Sequence, residues 1–304
     1  MTVQSHIPEW MPAPFVERAL LAEPLAKHTS WHVGGPADVF FTPHSSEELS
    51  AFLAALPSDV PVLMVGLGSN LLVRDGGWRG VVISLHGVAT QLERHGETGV
   101  IAGAGVPCAR LAKACVRWQV GPAEFFAGIP GTVGGALAMN AGAWGGETWP
   151  WVQSVEVINR AGERRERLAS DYHFAYRHLT VPAASEWFLR AQFAFESRPG
   201  ATMNTVTQLL AQRRESQPIG EWSCGSTFIN PPGDHAARLI ESAGLKGHRI
   251  GGAVVSQKHA NFLINEGSAT ALDIEQLIGY VQETVARVHG VTLTTEVRIV
   301  GETV

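Results

Sequence analysis

The chain has 304 residues, 45% of them hydrophobic and 17% charged, which supplies cores for roughly two to three domains and excludes intrinsic disorder for most of its length. Its 23 basic and 28 acidic side chains leave a net charge of −5, so no general electrostatic pull toward nucleic acid or anionic lipid exists, and an anionic ligand must be held by local groups. Three cysteines without zinc-type spacing, and a start that lacks a basic and apolar secretory leader, predict a chain in a reducing, cytoplasmic compartment.

Residues 1–24 read as an irregular lead-in with a helical pattern only at 16–21. A strand (VFFTP), a helix capped by Ser45 or Ser46 with Glu48 near its start (SSEELSAFLAAL) and a strand (PVLMVG) then make a βαβ-like unit ending in a turn at 66–70. Strands at GVVISL, GVIAGAG and WVQSVEVIN follow, with a helix at CARLAKACVRWQV, so strands and helices mix without strict alternation and predict α+β. Cys108 and Cys115 share one face of that helix, as small buried side chains would. SRPGATMN, at 197–204, reads as a linker to a C-terminal domain. There a polar helix (TVTQLLAQRRES) and a glycine-rich turn precede HAARLIESAG and ALDIEQLIGYVQETVARVHG, each helix ending at a glycine C-cap, and the strand TLTTEVRIVG closes the chain. The most apolar stretch, 60–73, is broken by Gly66, Gly68, Ser69 and Asn70, well short of the roughly 18 residues of a membrane span.

Glycine is in excess, 33 residues against a background of about 7%, and two clusters stand out. Gly66-Leu67-Gly68-Ser69-Asn70 follows a buried strand and can form an anion-binding nest, while Leu71 in place of a third glycine excludes the Rossmann fingerprint. The second cluster runs from 127 to 143 and includes Gly128, Ile129, Pro130, Gly131, Thr132, Gly134, Asn140 and Gly142. It reads either as a site where a planar or phosphorylated ligand meets the backbone, or as a packed helix start with Pro130 near the first helical position. Two uncharged loops without a P-loop lysine point to a dinucleotide held outside a Rossmann crevice, with flavin as the candidate. Among twelve histidines only His28 and His32 show helical ligand spacing, without an HExxH motif or cysteine partner, so no metal site is expected.

Further motifs carry a resemblance: Thr29-Ser30 before Gly34-Gly35-Pro36-Ala37, then GLGSN, AGIPGTVGGA, NAGA, Tyr176-Arg177, Gly225-Ser226-Thr227-Phe228, GHRIGGA and Glu296-Val297-Arg298. In this order, across 29–301, the chain resembles the UDP-N-acetylenolpyruvoylglucosamine reductase family of peptidoglycan precursor synthesis, in its shorter form. The resemblance implies a two-lobed FAD-binding unit of the vanillyl-alcohol-oxidase type with lobes at 25–90 and 91–198, and an α+β substrate-binding domain at 199–304. It also implies noncovalent FAD, NADPH as hydride donor and a UDP-sugar substrate, with neither nucleic acid nor membrane as partner. The segment between Arg177 and Ser226 is too short for the substrate-covering tyrosine loop of the longer form. His28, His178-Leu179 and Ile229 depart from the family pattern, and Ile229 removes a lysine from the substrate loop.

By the same resemblance Ser226 is the proton donor, while Arg177 and Glu296 polarise the enolpyruvyl group. Asn230 corresponds to a substrate-contacting asparagine, and Lys246 and His259 lie in matched segments where they either meet the diphosphate or sugar or stand on a solvated surface. The chemistry is coherent, because hydride addition to the double bond needs a proton at the other carbon and a cation beside the developing carboxylate charge. Taken alone, Ser226 would be a turn serine, Arg177 a surface ion-pair partner and Glu296 an exposed strand residue. The rival readings are another flavin oxidase or dehydrogenase on the same fold, with a covalent flavin through His28 or His32 as its mark, and a flavin-binding module without catalysis.

Overall fold

A computed structural model describes residues 7–183 and 185–304; the first six residues of the expected lead-in lie outside them. The chain forms two units, each assembled from three stretches: up to Ala22 with 38–67 and 80–211, and 23–37 with 68–79 and 212–304. Each unit has its own hydrophobic core. Residues 25–37 and 68–79, which motif reading groups with the first lobe, therefore pack in one unit with the C-terminal segment.

In the first unit, helix α1 (Ser46–Ala55) begins where expected. The Ser45 hydroxyl accepts from the Glu48 N–H at 3.1 Å, and Glu47 and Glu48 lie in the first turn beside the positive helix end. Its buried face, Leu49, Phe52 and Leu53, packs on a sheet in which Trp78–Ser84 lies between Pro36–Phe41 and Val62–Val65, the last pair parallel. Phe41 stacks on Phe52 at 4.1 Å and anchors that layer. A second sheet runs Arg164–Leu168, Val152–Asn159, Glu186–Ala194, Gly99–Gly103, Leu92–His95, all neighbours antiparallel. Helix α2 (Cys108–Trp118) buries Cys108, Leu111, Ala112 and Cys115 as its periodicity predicts. The central strand Glu186–Ala194 escaped the sequence reading, because Arg190 and Gln192 interrupt its apolar run.

Two expectations here need correction. Residues 16–21 are not one helix: a 3-10 turn at Ala13–Arg18 gives way to a strand at Leu20–Pro24. Nor does Pro130 open helix α3 (Val133–Met139), because Thr132 is its N-cap, with its hydroxyl 3.5 Å from the Gly135 N–H.

Helix α4 (Met203–Ser216) connects the units along the chain. In the second unit, α5 (Ala236–Ser242) and α6 (Ala271–His289) cover a three-stranded antiparallel sheet of Arg249–Ile250, Ala253–Val255 and Leu263–Asn265. Thr270 and Asp273 close a capping box at the start of α6, and Gly290 ends it at φ 68°. The closing strand is shorter than expected. Only Arg298–Val300 forms one, parallel to Leu71–Val73, because 294–296 pair with 227–229 instead. No helix among the described residues is long and apolar enough to cross a membrane.

Candidate active site

The two glycine clusters meet in the first unit. A Cβ on Gly66 would lie 2.6 Å from Thr132 Oγ1, so the strand-ending turn can approach the start of α3 only as glycine. Beyond that contact, the second cluster is more occupied with its own protein than its composition implies. The N–H groups of Ile129, Gly131, Val133 and Gly134 donate to the carbonyls of Phe126, Ile129, Val106 and Ala104 at 2.9–3.1 Å, and the Gly131 carbonyl accepts from Cys108. These four N–H groups therefore do not form an open row facing a diphosphate. Gly128 and Gly134 are packing positions, where a Cβ would come 2.7 Å from Ala143 Cβ and 2.9 Å from Ala104 Cβ.

Asn140 is fully buried and left-handed at φ 43°. Its Oδ1 accepts from the Trp149 N–H at 3.0 Å, and its Nδ2 donates to Glu147 Oε2 and the Ala175 carbonyl, both at 2.9 Å. With donors and acceptor so engaged, its side chain ties the loop rather than reaching outward. One of its partners lies in the hairpin His173–Ala175 and His178–Thr180, whose two-residue tip is Tyr176-Arg177. Arg177 has φ 53°, an uncommon conformation for an arginine, and its Nη2 donates to the Gly142 carbonyl at 2.8 Å. The guanidinium carbon also lies 5.0 Å from the Tyr176 ring centroid.

In the second unit, the rest of the turn at 66–70 is pinned against the chain at 28–30. Gly68, at φ 62°, has its Cβ position 1.9 Å from the His28 carbonyl, and its own carbonyl accepts from Ser30. Asn70 Nδ2 donates to the Glu296 carbonyl at 3.0 Å, while the Asn70 carbonyl accepts from Arg298 at 3.1 Å. The Glu296 N–H donates to the Thr227 carbonyl at 2.8 Å, and Phe228 pairs antiparallel with Thr295. Ser226 and Glu296 thereby stand on adjoining rungs of a short ladder, both half-buried, with Asn70 at its edge. Asn261 clamps that ladder, its Oδ1 accepting from the Phe228 N–H at 2.9 Å and its Nδ2 donating to the Phe228 carbonyl at 2.8 Å. Nothing in the sequence singled out Asn261, because its role is defined by a partner far along the chain. Ser69 is half-buried in the same turn.

The substrate candidates divide. Asn230 Oδ1 accepts from the Ala236 N–H at 3.0 Å and caps α5. Lys246 and His259 are neighbours: Lys246 pairs with Glu241 at 2.7 Å, and burial, with a smaller contribution from the Lys246 charge, holds the His259 imidazole below its ordinary pKa. His259 Nδ1 is buried without a hydrogen-bond partner, and its ring meets Phe262 edge-on at 4.9 Å. The two histidines weighed as covalent flavin anchors are also engaged. His28 Nε2 lies 3.1 Å from Glu23, and His32 stacks on Trp222 at 4.4 Å.

Comparison with known proteins adds the family. Residues 37–166 match the profile of an FAD binding domain, and 217–300 match that of the UDP-N-acetylenolpyruvoylglucosamine reductase C-terminal domain. The chain is 56% identical over 281 residues to the UDP-N-acetylenolpyruvoylglucosamine reductase of Alkalilimnicola ehrlichii, covering 92% of this chain and 94% of that protein. It is 52% identical to the protein of that name in Methylococcus capsulatus, covering 92% of each. Among solved structures, the UDP-N-acetylenolpyruvylglucosamine reductase of Thermus caldophilus aligns with a TM-score of 0.77 at 33% identity, over 92% of this chain and 97% of that one. The fold is thus an FAD-binding domain joined to the reductase C-terminal domain, in an α+β chain. Motif order, the Ser226–Glu296 ladder and this likeness over nearly the full length agree, and the chain belongs to the UDP-N-acetylenolpyruvoylglucosamine reductase family.

Proposed function

We propose that the chain reduces the enolpyruvyl ether of UDP-N-acetylglucosamine enolpyruvate to UDP-N-acetylmuramate, with NADPH as hydride donor and noncovalent FAD as carrier. It is an FAD-dependent oxidoreductase of peptidoglycan precursor synthesis. The observation that carries the residue assignment is the ladder holding Ser226 beside Glu296. In this reading 25–90 and 91–198 supply the lobes of the FAD unit and 199–304 the substrate domain, although 25–37 and 68–79 pack in one unit with the C-terminal segment.

The residues fit the cofactor. Residues 66–70 and 127–136 carry no ionisable side chain, and Gly66 and Gly68 turn where no Cβ has room, so neither loop sets a carboxylate against a diphosphate. Gly66, Gly68, Ser69, Asn70 and Thr132 are the residues we assign to holding FAD. Gly128, Ile129, Pro130, Gly131, Gly134, Asn140 and Gly142 shape the loop behind them. When bound, FAD supplies a hydride store that separates oxidation of NADPH from reduction of the enolpyruvyl carbon.

The chain's own groups manage charge and proton. The Arg177 guanidinium offers paired donors to the substrate carboxylate, whose negative charge grows as hydride arrives. The Ser226 hydroxyl delivers its proton to the other carbon of the former double bond and is reprotonated from solvent before the next cycle. Glu296, held by backbone bonds on both sides, orients that proton and, when it carries a proton of its own, donates a hydrogen bond to the enolate-like intermediate. Lys246 and His259 lie in the segment we assign to the substrate's diphosphate and sugar, and Asn230 shapes the substrate loop through its cap on α5.

The direct test follows the visible flavin spectrum of the purified protein. Anaerobic NADPH should bleach it, and the enolpyruvyl substrate should restore it in a second, separate step. A reduced flavin that this substrate fails to reoxidise would sink the reading and favour another oxidoreductase on the same fold.

A further inference from the structure

Two hairpins of the first unit, joined by the Arg177–Gly142 hydrogen bond, break the ordinary turn rules at their tips. The hairpin of Gly142–Ala143 and Gly146–Glu147 turns at Trp144-Gly145, with φ of 50° and 81°. Two positive φ values define a type I′ loop, whose first position favours Asn, Asp or Gly. An indole there is costly, and a local rule broken beside candidate functional groups calls for a compensating gain. The second tip carries Arg177 at φ 53°, where a turn of its kind ordinarily uses glycine.

The gain at Trp144 is visible in what lies beneath it. The residue is 40% exposed, yet its ring rests on Gly128, where an added Cβ would come 2.7 Å from a ring carbon. Behind it, a Cβ on Gly146 would meet the Phe125 ring at 2.5 Å. The hairpin is therefore seated at two points on the 3-10 turn Glu124–Gly128, and both seats need a glycine. At its base, the Gly142 carbonyl accepts from Arg177 Nη2 at 2.8 Å, while the Asn140 amide holds Glu147 and the Ala175 carbonyl together.

We propose that Trp144 is a positioning residue for Arg177: the ring's seat on Gly128 fixes the Gly142 carbonyl, and that carbonyl aims the guanidinium. This rests on the reading of Arg177 as the group that polarises the enolpyruvyl carboxylate. A side chain whose task is only to fill space would not occupy a position that penalises every large residue. An aromatic ring at a turn of this shape is explained by a rigid flat contact that reaches the glycine below.

A double-mutant cycle on the FAD-loaded full chain tests it, with stopped-flow measurement of both half-reactions in Trp144→Gly, Trp144→Phe, Arg177→Ala and the Trp144→Gly, Arg177→Ala pair. Glycine suits φ 50°, so the turn keeps its shape when the ring is removed. Trp144→Gly should slow reoxidation of NADPH-reduced flavin by the enolpyruvyl substrate roughly 10- to 100-fold, the scale of a small misplacement of a catalytic group, with flavin reduction and FAD content unchanged. Trp144→Phe should stay near the wild-type rate. Arg177→Ala should slow reoxidation roughly 10²–10³-fold, and adding Trp144→Gly to it should change nothing further. The positioning role is overturned if Trp144→Gly reoxidises at the wild-type rate, if the two effects multiply, or if Trp144→Gly loses FAD and so marks a cofactor contact. Wild-type reoxidation in Arg177→Ala would instead remove the role assigned to Arg177, and its positioning with it.

Discussion

The hairpin tips of the first unit and the ladder of the second set functional side chains in place by opposite means. Arg177 sits at a left-handed tip, its Nη2 donating to the Gly142 carbonyl and its neighbours tied through Asn140. Ser226 and Glu296 sit on chain segments paired backbone to backbone, with Asn261 bridging both polar groups of Phe228. A tip lets a long side chain be aimed, whereas a ladder sets the spacing of short ones. The first arrangement depends on buried side-chain amides and glycine seats, the second on register.

The largest expected effect lies on the ladder. Ser226→Ala should slow reoxidation of the reduced flavin by the substrate about 10²–10⁴-fold, the usual range for a general acid, and leave reduction by NADPH near wild type. Rapid-mixing traces separate the two steps. Reoxidation at the wild-type rate would pass the proton to Glu296 or a water. The fold should survive, because a single half-buried hydroxyl contributes only about 1 kcal/mol.

The two asparagines sharpen the contrast in stability. Asn140→Ala removes three hydrogen bonds made by a fully buried side chain, among them that of the buried Trp149 N–H, so we expect a loss of about 3 kcal/mol in denaturant unfolding. Asn261→Ala removes two and should cost about 2 kcal/mol. If side-chain ties matter more at tips than on ladders, Asn140→Ala lowers the denaturation midpoint further. The reverse order would break the comparison.

A smaller effect concerns pH. Burial, aided by Lys246, keeps the folded His259 pKa below the ordinary imidazole value. The unfolded chain then binds a proton as pH falls through about 6.5 while the folded chain does not. This site's contribution to stability is therefore intact above that pH and declines below it. Unfolding curves from pH 8 to 5 should show wild type losing more stability than His259→Gln; equal slopes would mean the ring is solvated. At the smallest end, burial pushes the Cys115 and Cys224 thiols up to about 12 and raises that of Cys108. All three should resist a thiol-labelling reagent in the native protein at pH 8 and react on unfolding.

Short-range features were legible in the sequence. The Ser45 cap with its following acids, the apolar face of α2 and the glycine that ends α6 are set by residues within a few positions of one another. Motif order carried the family and the names of Ser226, Arg177 and Glu296. Tertiary structure decided whatever depends on a distant partner. The closing strand splits because 294–296 pair with 227–229 while Arg298–Val300 pairs with Leu71–Val73, a choice no local periodicity encodes. The N–H groups of Ile129, Gly131, Val133 and Gly134, in the loop expected to face a ligand, are taken by the carbonyls of Phe126, Ile129, Val106 and Ala104, since glycine permits close packing as readily as ligand approach. Gly66 meets Thr132, Asn261 clamps Phe228 and Trp144 rests on Gly128, each through a chain fold that brings remote residues within contact distance. The sequence by itself determined which residue types were available for the chemistry, because side-chain chemistry is local. Register and packing, which are long-range, decided which backbone groups hold them there.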